Sequence, residues 1–111
     1  MKPINAIVAG TGFYKPHLVG TYLCCAGTAV QLRREPSNAH DRNAIAVCVR
    51  DPIIGLIPRW TKMGHLKAPL AARLAPKIDA GLVLEAKVMS VWNAEGREHP
   101  RISIVISTPS R

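Results

Sequence analysis

Two adjacent aromatic residues, Phe13 and Tyr14, follow the glycine turn that ends the first apolar stretch of the chain. Aromatic residues are scarce, with one Phe, two Tyr and two Trp in 111 residues, so each can be weighed individually. An aromatic face stacks on any base, and each stack contributes ~1–3 kcal/mol. The pair therefore indicates a stacking platform, with the alternative that one ring belongs to the core and the other to its rim.

A polar loop, residues 35–43, lies between two apolar stretches and carries varied side-chain chemistry. The candidate binding residues in and beside it are Arg34, Asn38, His40, Asp41 and Arg42. Their guanidinium, amide, imidazole and carboxylate groups can donate to phosphates and accept a hydrogen bond from a hydroxyl. The residue types equally allow a structural turn in which Asn38, Asp41 and Asn43 cap backbone groups of the loop.

The charge balance is strongly basic, with fifteen Lys and Arg against seven acids and a formal net charge of +8. Such a potential attracts polyanions, of which nucleic acid is the commonest. No acid lies between Asp51 and Asp79, and this interval carries five cations: Arg59, Lys62, Lys67, Arg73 and Lys77. With Arg33, Arg34 and Arg42 they can line one groove. If six of these cations contact phosphates, the log–log salt slope is near −4 at ~−0.7 per contact. The alternative is a solvated helix face.

The elements that must position these side chains are short strands and one helix. Apolar alternation and composition predict strands at 4–9, 28–34, 44–50, 53–57, 82–92 and 101–107, and 21–25 is strand-like. We expect 44–50 and 53–57 to pair as a hairpin, and 60–67 is ambiguous. A stripe of Leu70, Leu74 and Ile78 predicts a helix over 68–80 that Gly81 ends. Pro76 predicts a kink or a new short helix.

These elements predict a mainly β protein with a short helical insert. The architecture is a small OB-like or SH3-like β-barrel, closed or half-closed, of about six strands with one or two short helices. At 111 residues the chain is expected to form a single domain over 1–111, and its 48% apolar content is enough for a core without metal or disulfides.

Several function classes lack sequence support. The chain has no GxSxG, P-loop, HExxH or paired-carboxylate signature, so we expect neither an enzyme nor a bound cofactor. The four histidines are scattered, which predicts no metal site. The three cysteines, Cys24, Cys25 and Cys48, read as small apolar residues of a reducing cytoplasm. No apolar run reaches membrane-spanning length, and the N-terminus does not resemble a signal peptide.

Three segments, taken in this order, resemble the HIRAN domain: IVAGTGFY at 7–14, the loop with its flanking strands at 33–47, and GLIPR at 55–59. The second carries the pattern Arg-Glu-Pro-x-Asn-x-x-Asp-x-Asn-Ala-Ile-x-Val, which is nearly diagnostic. The similarity continues through 74–81. The resemblance covers about residues 6–92 and is of the kind shown by small stand-alone bacterial members.

The resemblance implies an OB-like barrel that binds single-stranded DNA at a free 3′ end. It implies that Phe13 and Tyr14 stack on terminal bases. Asn38 and Asp41 would line the pocket for the 3′-hydroxyl, and Arg59 would hold a phosphate. It also implies a role in DNA repair or replication, in a nucleoid-associated cytoplasmic setting, with a helicase or nuclease as a possible partner protein.

Two positions depart from the relatives that bind DNA ends. Gly12 stands where those relatives have an arginine, and His40 stands where an aromatic residue is often found. These departures keep open a second interpretation, in which the same barrel is a protein-interaction or regulatory subunit. RNA is a weaker alternative to DNA, since nothing in the sequence distinguishes the sugar.

Overall fold

The computed structural model describes residues 2–10, 26–51, 59–92 and 101–109. Within them the chain forms one antiparallel sheet in the order β1-β6-β5-β2-β3-β4, with a single helix inserted between β4 and β5. The elements are β1 (Ile4–Ile7), β2 (Ala29–Arg34), β3 (Ile45–Asp51), β4 (Arg59–His65), α1 (Ala68–Asp79), β5 (Glu85–Trp92) and β6 (Arg101–Ser107).

The sheet curls until its first and last strands approach each other. The N–H of Ala9, just beyond β1, donates to the carbonyl of His65 at 2.8 Å, and the N–H of His65 returns a bond to the carbonyl of Ala9 at 2.9 Å. This two-bond bridge joins the ends of the strand order at one point. The described residues thus form a curled half-barrel with one helix, which confirms the predicted mainly β fold.

Gly64 allows this closure because it has no side chain. A Cβ at this position would lie 2.4 Å from the carbonyl oxygen of Ala9 and 2.6 Å from Cγ1 of Val8. Real Cβ atoms do not approach other atoms this closely, and the Ala9 oxygen is backbone that already bonds His65. The close approach of β1 to β4 therefore depends on glycine at this position.

The core formed by the described residues is aliphatic. β3 is its centre, because residues 45–49 are fully buried and the strand has neighbours on both edges. Leu74 of α1 is fully buried against this core, and Leu70 and Ile78 pack beside it, so the predicted apolar stripe is confirmed. Cys48 is a buried free thiol, as expected of a small apolar residue, and burial raises its pKa.

The helix ends where the sequence predicts. Gly81 has a φ of +103°, its N–H donates to Ile78, and the N–H of Leu82 donates to Lys77, which is the Schellman arrangement. The prediction at Pro76 was a kink or a new short helix, and the new helix is wrong, because α1 continues through Pro76 to Asp79. Only three helical residues follow Pro76. Pro76 cannot donate to the carbonyl of Ala72, but Ala72 lies on the exposed face of the helix, where water can bond this carbonyl.

Three strands differ from the predictions by two residues or more, while β2 and β3 differ by one residue. The hairpin partner of β3 is 59–65, not 53–57; the latter lies outside the described residues, and β2 and β4 already occupy the two edges of β3. β5 begins at Glu85 rather than 82 because the N–H of Leu82 still caps the helix. β1 ends at Ile7. The strand-like stretch 21–25 and the glycine turn beyond Gly10 lie outside the described residues.

Replacing Gly64 with alanine is expected to lower the free energy of unfolding by about 1–3 kcal/mol, since the new methyl group overpacks the closure point. Urea unfolding followed by circular dichroism measures the loss. Gly27→Ala is the matched control, because it meets no atom within 4 Å and its cost comes only from a φ of +91°. Amide exchange at Ala9 and His65 should accelerate in Gly64→Ala but not in Gly27→Ala. An unchanged exchange rate in both would contradict the closure argument.

Candidate nucleic-acid interface

A shallow furrow separates the polar loop from β4 and the start of α1. It consists of two adjoining depressions of about 380 and 340 Å³. Glu35 and Lys62 line the first, and Asn38 and His65 line both, so the depressions are continuous. The second is lined further by residues of the loop, of the segment after β1 and of the start of the helix, among them Gly10, His40, Asp41 and Ala68. We call the two depressions together the furrow.

Glu35 is the hub of hydrogen bonds in the first depression. Its Oε2 forms an ion pair with the ammonium of Lys62, and its Oε1 lies 2.6 Å from Nε2 of His65. Nδ2 of Asn38 donates to the same Oε1 at 3.3 Å. A carboxylate only accepts, so His65 presents an Nε2–H to it. The cluster ties the first loop residue to β4 across the sheet edge.

A β-bulge lets Lys62 and His65 reach the same carboxylate. Residues three apart on a regular strand point to opposite faces of the sheet. Here Val47 pairs with Gly64 while the next residue, Cys48, pairs with Lys62, so the register skips Met63. The skipped residue restores both side chains to the face where Glu35 lies.

The electrostatics of the cluster keep Glu35 charged. Partial burial alone would raise its pKa, but the hydrogen bonds from Lys62, His65 and Asn38 outweigh burial and lower the pKa from 4.5 to about 2. The carboxylate is therefore ionised at neutral pH. Because Lys62 lies against it, its negative charge is compensated inside a furrow that is expected to accept an anion.

The loop is held by its own polar side chains, as the structural alternative predicts. Oδ1 of Asn38 accepts from the N–H groups of His40 and Asp41 at 2.9 and 3.1 Å, and Oδ1 of Asp41 accepts from the N–H of Asn43 at 2.9 Å. Among the described residues, nothing donates to Oδ2 of Asp41. The capping and binding interpretations are thus compatible, because each uses a different oxygen of the same carboxylate.

The sequence-predicted binding residues gather only in part. Asn38, His40 and Asp41 line the furrow, and Lys62 lines it from β4. Phe13 and Tyr14 lie outside the described residues. Arg59 begins β4, and its side chain also lies outside the described part. The predicted roles of these last three side chains stay predictions.

Arg34 has a structural role that the sequence did not indicate. Its Nε and Nη2 bond the two carboxylate oxygens of Asp79 at 2.9 and 3.2 Å, and its guanidinium also donates to the carbonyls of Ala44 and Arg42. Its side chain is only 14% exposed. Because these donors are used internally, Arg34 fastens the loop to the end of α1, and we leave it out of the proposed binding surface.

The remaining predicted cations do not share one groove. Arg42 is exposed at the end of the loop. Arg73 lines a different depression, between β1 and α1. Lys77 is exposed one turn further along the helix and lines neither depression. The single groove of all basic residues is therefore divided by the fold, because α1 turns Arg73 toward β1.

Two furrow residues were missed in the sequence. Glu35 was considered only as part of the polar-loop motif. His65 is one of the four scattered histidines and lies in the ambiguous stretch 60–67. Their link is a contact between residues 30 apart, and no local pattern shows it. The buried Met63 and Leu66 were the available signal for β4, but the bulge breaks the alternation that identifies a strand.

The described residues bring no three His, Cys, Asp or Glu side chains together as a metal site. Their one helix is too short to cross a membrane.

The family of the chain follows from its match to known proteins. The model of the HIRAN domain matches residues 4–108, so the chain belongs to the HIRAN family. The match extends beyond the 6–92 covered by the sequence motifs. HIRAN domains are known generally as DNA-binding modules.

Two crystal structures are similar in fold. The HIRAN domain of human HLTF is 25% identical, with a TM-score of 0.62 over 94% of this chain and 74% of that one. A protein from Lactobacillus plantarum is 20% identical, with a TM-score of 0.64 over 95% of both chains. No curated protein sequence matches the chain.

Glu35→Gln should remove an acid-sensitive part of the stability. A carboxyl group whose pKa is lowered by folding stabilises the fold above about pH 4.5, and this stabilisation is lost as the pH falls toward 2. The difference between 4.5 and about 2 corresponds to at most about 3 kcal/mol. Urea unfolding from pH 7 to pH 2 should therefore show a flatter profile for the variant. Glu85→Gln, on the exposed face of β5, should keep the parent slope, and equal slopes in all three proteins would contradict the cluster's role.

Proposed function

We propose that the chain binds single-stranded DNA along the furrow, places a free 3′ end at Asp41, and performs no catalysis itself. The observation that carries this proposal is the position of Asp41. Its Oδ1 is held by the N–H of Asn43, which fixes the carboxylate, while Oδ2 lacks a donor among the described residues. The residue lines the furrow, so a terminal hydroxyl there could donate to Oδ2.

Chain connectivity supports stacking at the same end. Gly10 lines the furrow together with Asp41. Phe13 follows three residues later, and three residues span at most about 11 Å. We therefore expect Phe13, and Tyr14 one residue further on, to be able to reach the end pocket and stack on the last bases.

The cations on this side supply the phosphate contacts. Lys62 compensates Glu35 and keeps a side chain that is 32% exposed, while Arg42 is exposed on the loop. Arg59 is expected to join them at the start of β4. This basic set attracts the backbone without selecting sequence. A role in DNA repair or replication would follow from end recognition.

Asp41→Asn is the sharpest test of end recognition. The amide oxygen can still cap the N–H of Asn43, so the loop should keep its shape, but the group at the position of Oδ2 becomes a donor. The parent should bind a labelled single strand about tenfold more tightly than the same strand with a 3′-phosphate, as expected for one lost hydrogen bond to a charged group. Fluorescence anisotropy should show that Asp41→Asn abolishes this difference.

The rest of the site is tested in the same assay. Tyr14→Ala and Arg59→Ala should each weaken binding to single strands, and duplexes should bind less tightly than single strands. Parent-like affinity in both variants would show that the site is misplaced even though the fold is right. An absence of affinity at low salt would favour the protein-interaction alternative.

The salt dependence should reflect the divided cations. Three phosphate contacts, from Arg42, Arg59 and Lys62, predict a log–log slope near −2 at ~−0.7 per contact. This is about half the slope expected if all basic segments met one strand. Titrations at several salt concentrations measure it, and Arg73→Ala should leave it unchanged because Arg73 lines another depression. A slope near −4 that becomes shallower in Arg73→Ala would show that Arg73 and the furrow contact the same DNA strand.

A further inference from the structure

The outer edge of β1 presents backbone groups to solvent. The N–H of Val8 donates to the carbonyl of Ile102 at 2.9 Å, so the backbone of Val8 faces β6. Backbone groups alternate in direction along an antiparallel strand. Those of Asn5 and Ile7 therefore point away from β6, toward the outer edge.

The bridge at Ala9 agrees with this alternation. Ala9 has the same parity as Asn5 and Ile7, and its N–H and carbonyl bond His65 on that outer side. β1 is the terminal strand of the sheet, with β6 as its one neighbour in the strand order of the described residues. Within the described chain the outward N–H and carbonyl of Asn5 and Ile7 have no partner.

A groove of about 450 Å³ lies along this edge. β1 forms one wall, and the first turns of α1 form the other through Lys67, Pro69, Leu70 and Arg73. Ile7 is exposed by 39%, and Leu70 is partly buried, so the walls are largely apolar between the two cations. We call this the β1 groove.

We propose that the β1 groove binds an extended acidic segment of a partner protein, which adds to the outer edge of β1 as a further strand. A peptide backbone supplies both the donors and the acceptors that Asn5 and Ile7 lack. Lys67 and Arg73 lie exposed along the groove, and the sequence from 52 to 78 contains no acid to neutralise them. Acidic side chains on the added strand would meet these two cations.

The same observations disfavour two other occupants. A second copy of this chain, paired edge to edge, would bring two groups of Lys67 and Arg73 together between two molecules of net charge +8. A nucleic-acid phosphate accepts hydrogen bonds but cannot donate them, so it would leave the outward carbonyls of Asn5 and Ile7 unsatisfied. The acidic peptide satisfies both the charge and the hydrogen-bond requirement, and its binding does not depend on the proposed DNA site.

The test uses a fluorescein-labelled octapeptide of alternating glutamate and valine, titrated by anisotropy. Asn5→Pro should weaken binding at least tenfold, since it deletes an outward N–H, and proline is tolerated on an edge strand where the N–H faces solvent. Arg73→Glu should weaken binding similarly. Lys87→Glu on β5 is the matched control, with the same charge change on an exposed residue away from the groove, and should bind as the parent does.

A second pair of measurements keeps the test independent of variant stability. The same peptide with alternate backbone nitrogens methylated should not bind the parent protein. Amide exchange at Asn5 and Ile7 should slow when the unmethylated peptide is added. Equal binding of the methylated peptide, or unchanged exchange at both amides, overturns the proposal. An oligothymidylate that displaces the peptide also overturns the proposal if Asn5→Pro does not weaken oligothymidylate binding. That result would show that the groove binds nucleic acid.

Discussion

The pair of backbone hydrogen bonds between Ala9 and His65 is the contact on which the shape of the curled sheet depends. It closes the curled sheet at one point, and it depends on a glycine, because any side chain at residue 64 would enter the backbone of the opposite strand. The furrow lies at the closure, where Ala9 and His65 line it, and the β1 groove lies along residues 4–7 and the start of α1. Both surfaces therefore border the segment that this pair of backbone hydrogen bonds holds in place.

Charge is distributed between internal and external uses. Arg34 spends its donors on Asp79 and on loop carbonyls, and Lys62 compensates the carboxylate of Glu35. These contacts fix the loop at both ends, one to the helix and the other to β4. A high net positive charge is thus not a uniform binding surface, since Arg34 only maintains the shape of the site and Lys62 both holds Glu35 and keeps a partly exposed ammonium in the furrow.

The fold and part of the site were predictable from the sequence because their signals are local. Apolar alternation and composition identified β2, β3, β6 and most of β5, helical spacing identified α1, and the polar loop followed from its composition. β4 was not predictable because the bulge at Met63 interrupts its alternation. The strand predicted at 53–57 also placed the end of a strand just before the residue where β4 begins. The structural role of Arg34 depends on its contact with Asp79, which is 45 residues away in the sequence. No rule about local sequence spacing predicts such a contact.

The bulge on β4 means that the cluster around Glu35 is encoded by strand register as well as by residue identity. If β4 paired with β3 without the bulge, every polar residue of the cluster would remain, yet Lys62 and His65, three residues apart, would project to opposite faces. A strand that lacked Met63 would need no bulge, because Lys62 and His65 would then be two residues apart and would share a face. Related sequences could therefore retain the full set of side chains and still lack the arrangement, so the number of residues between the lysine and the histidine is as informative as their types.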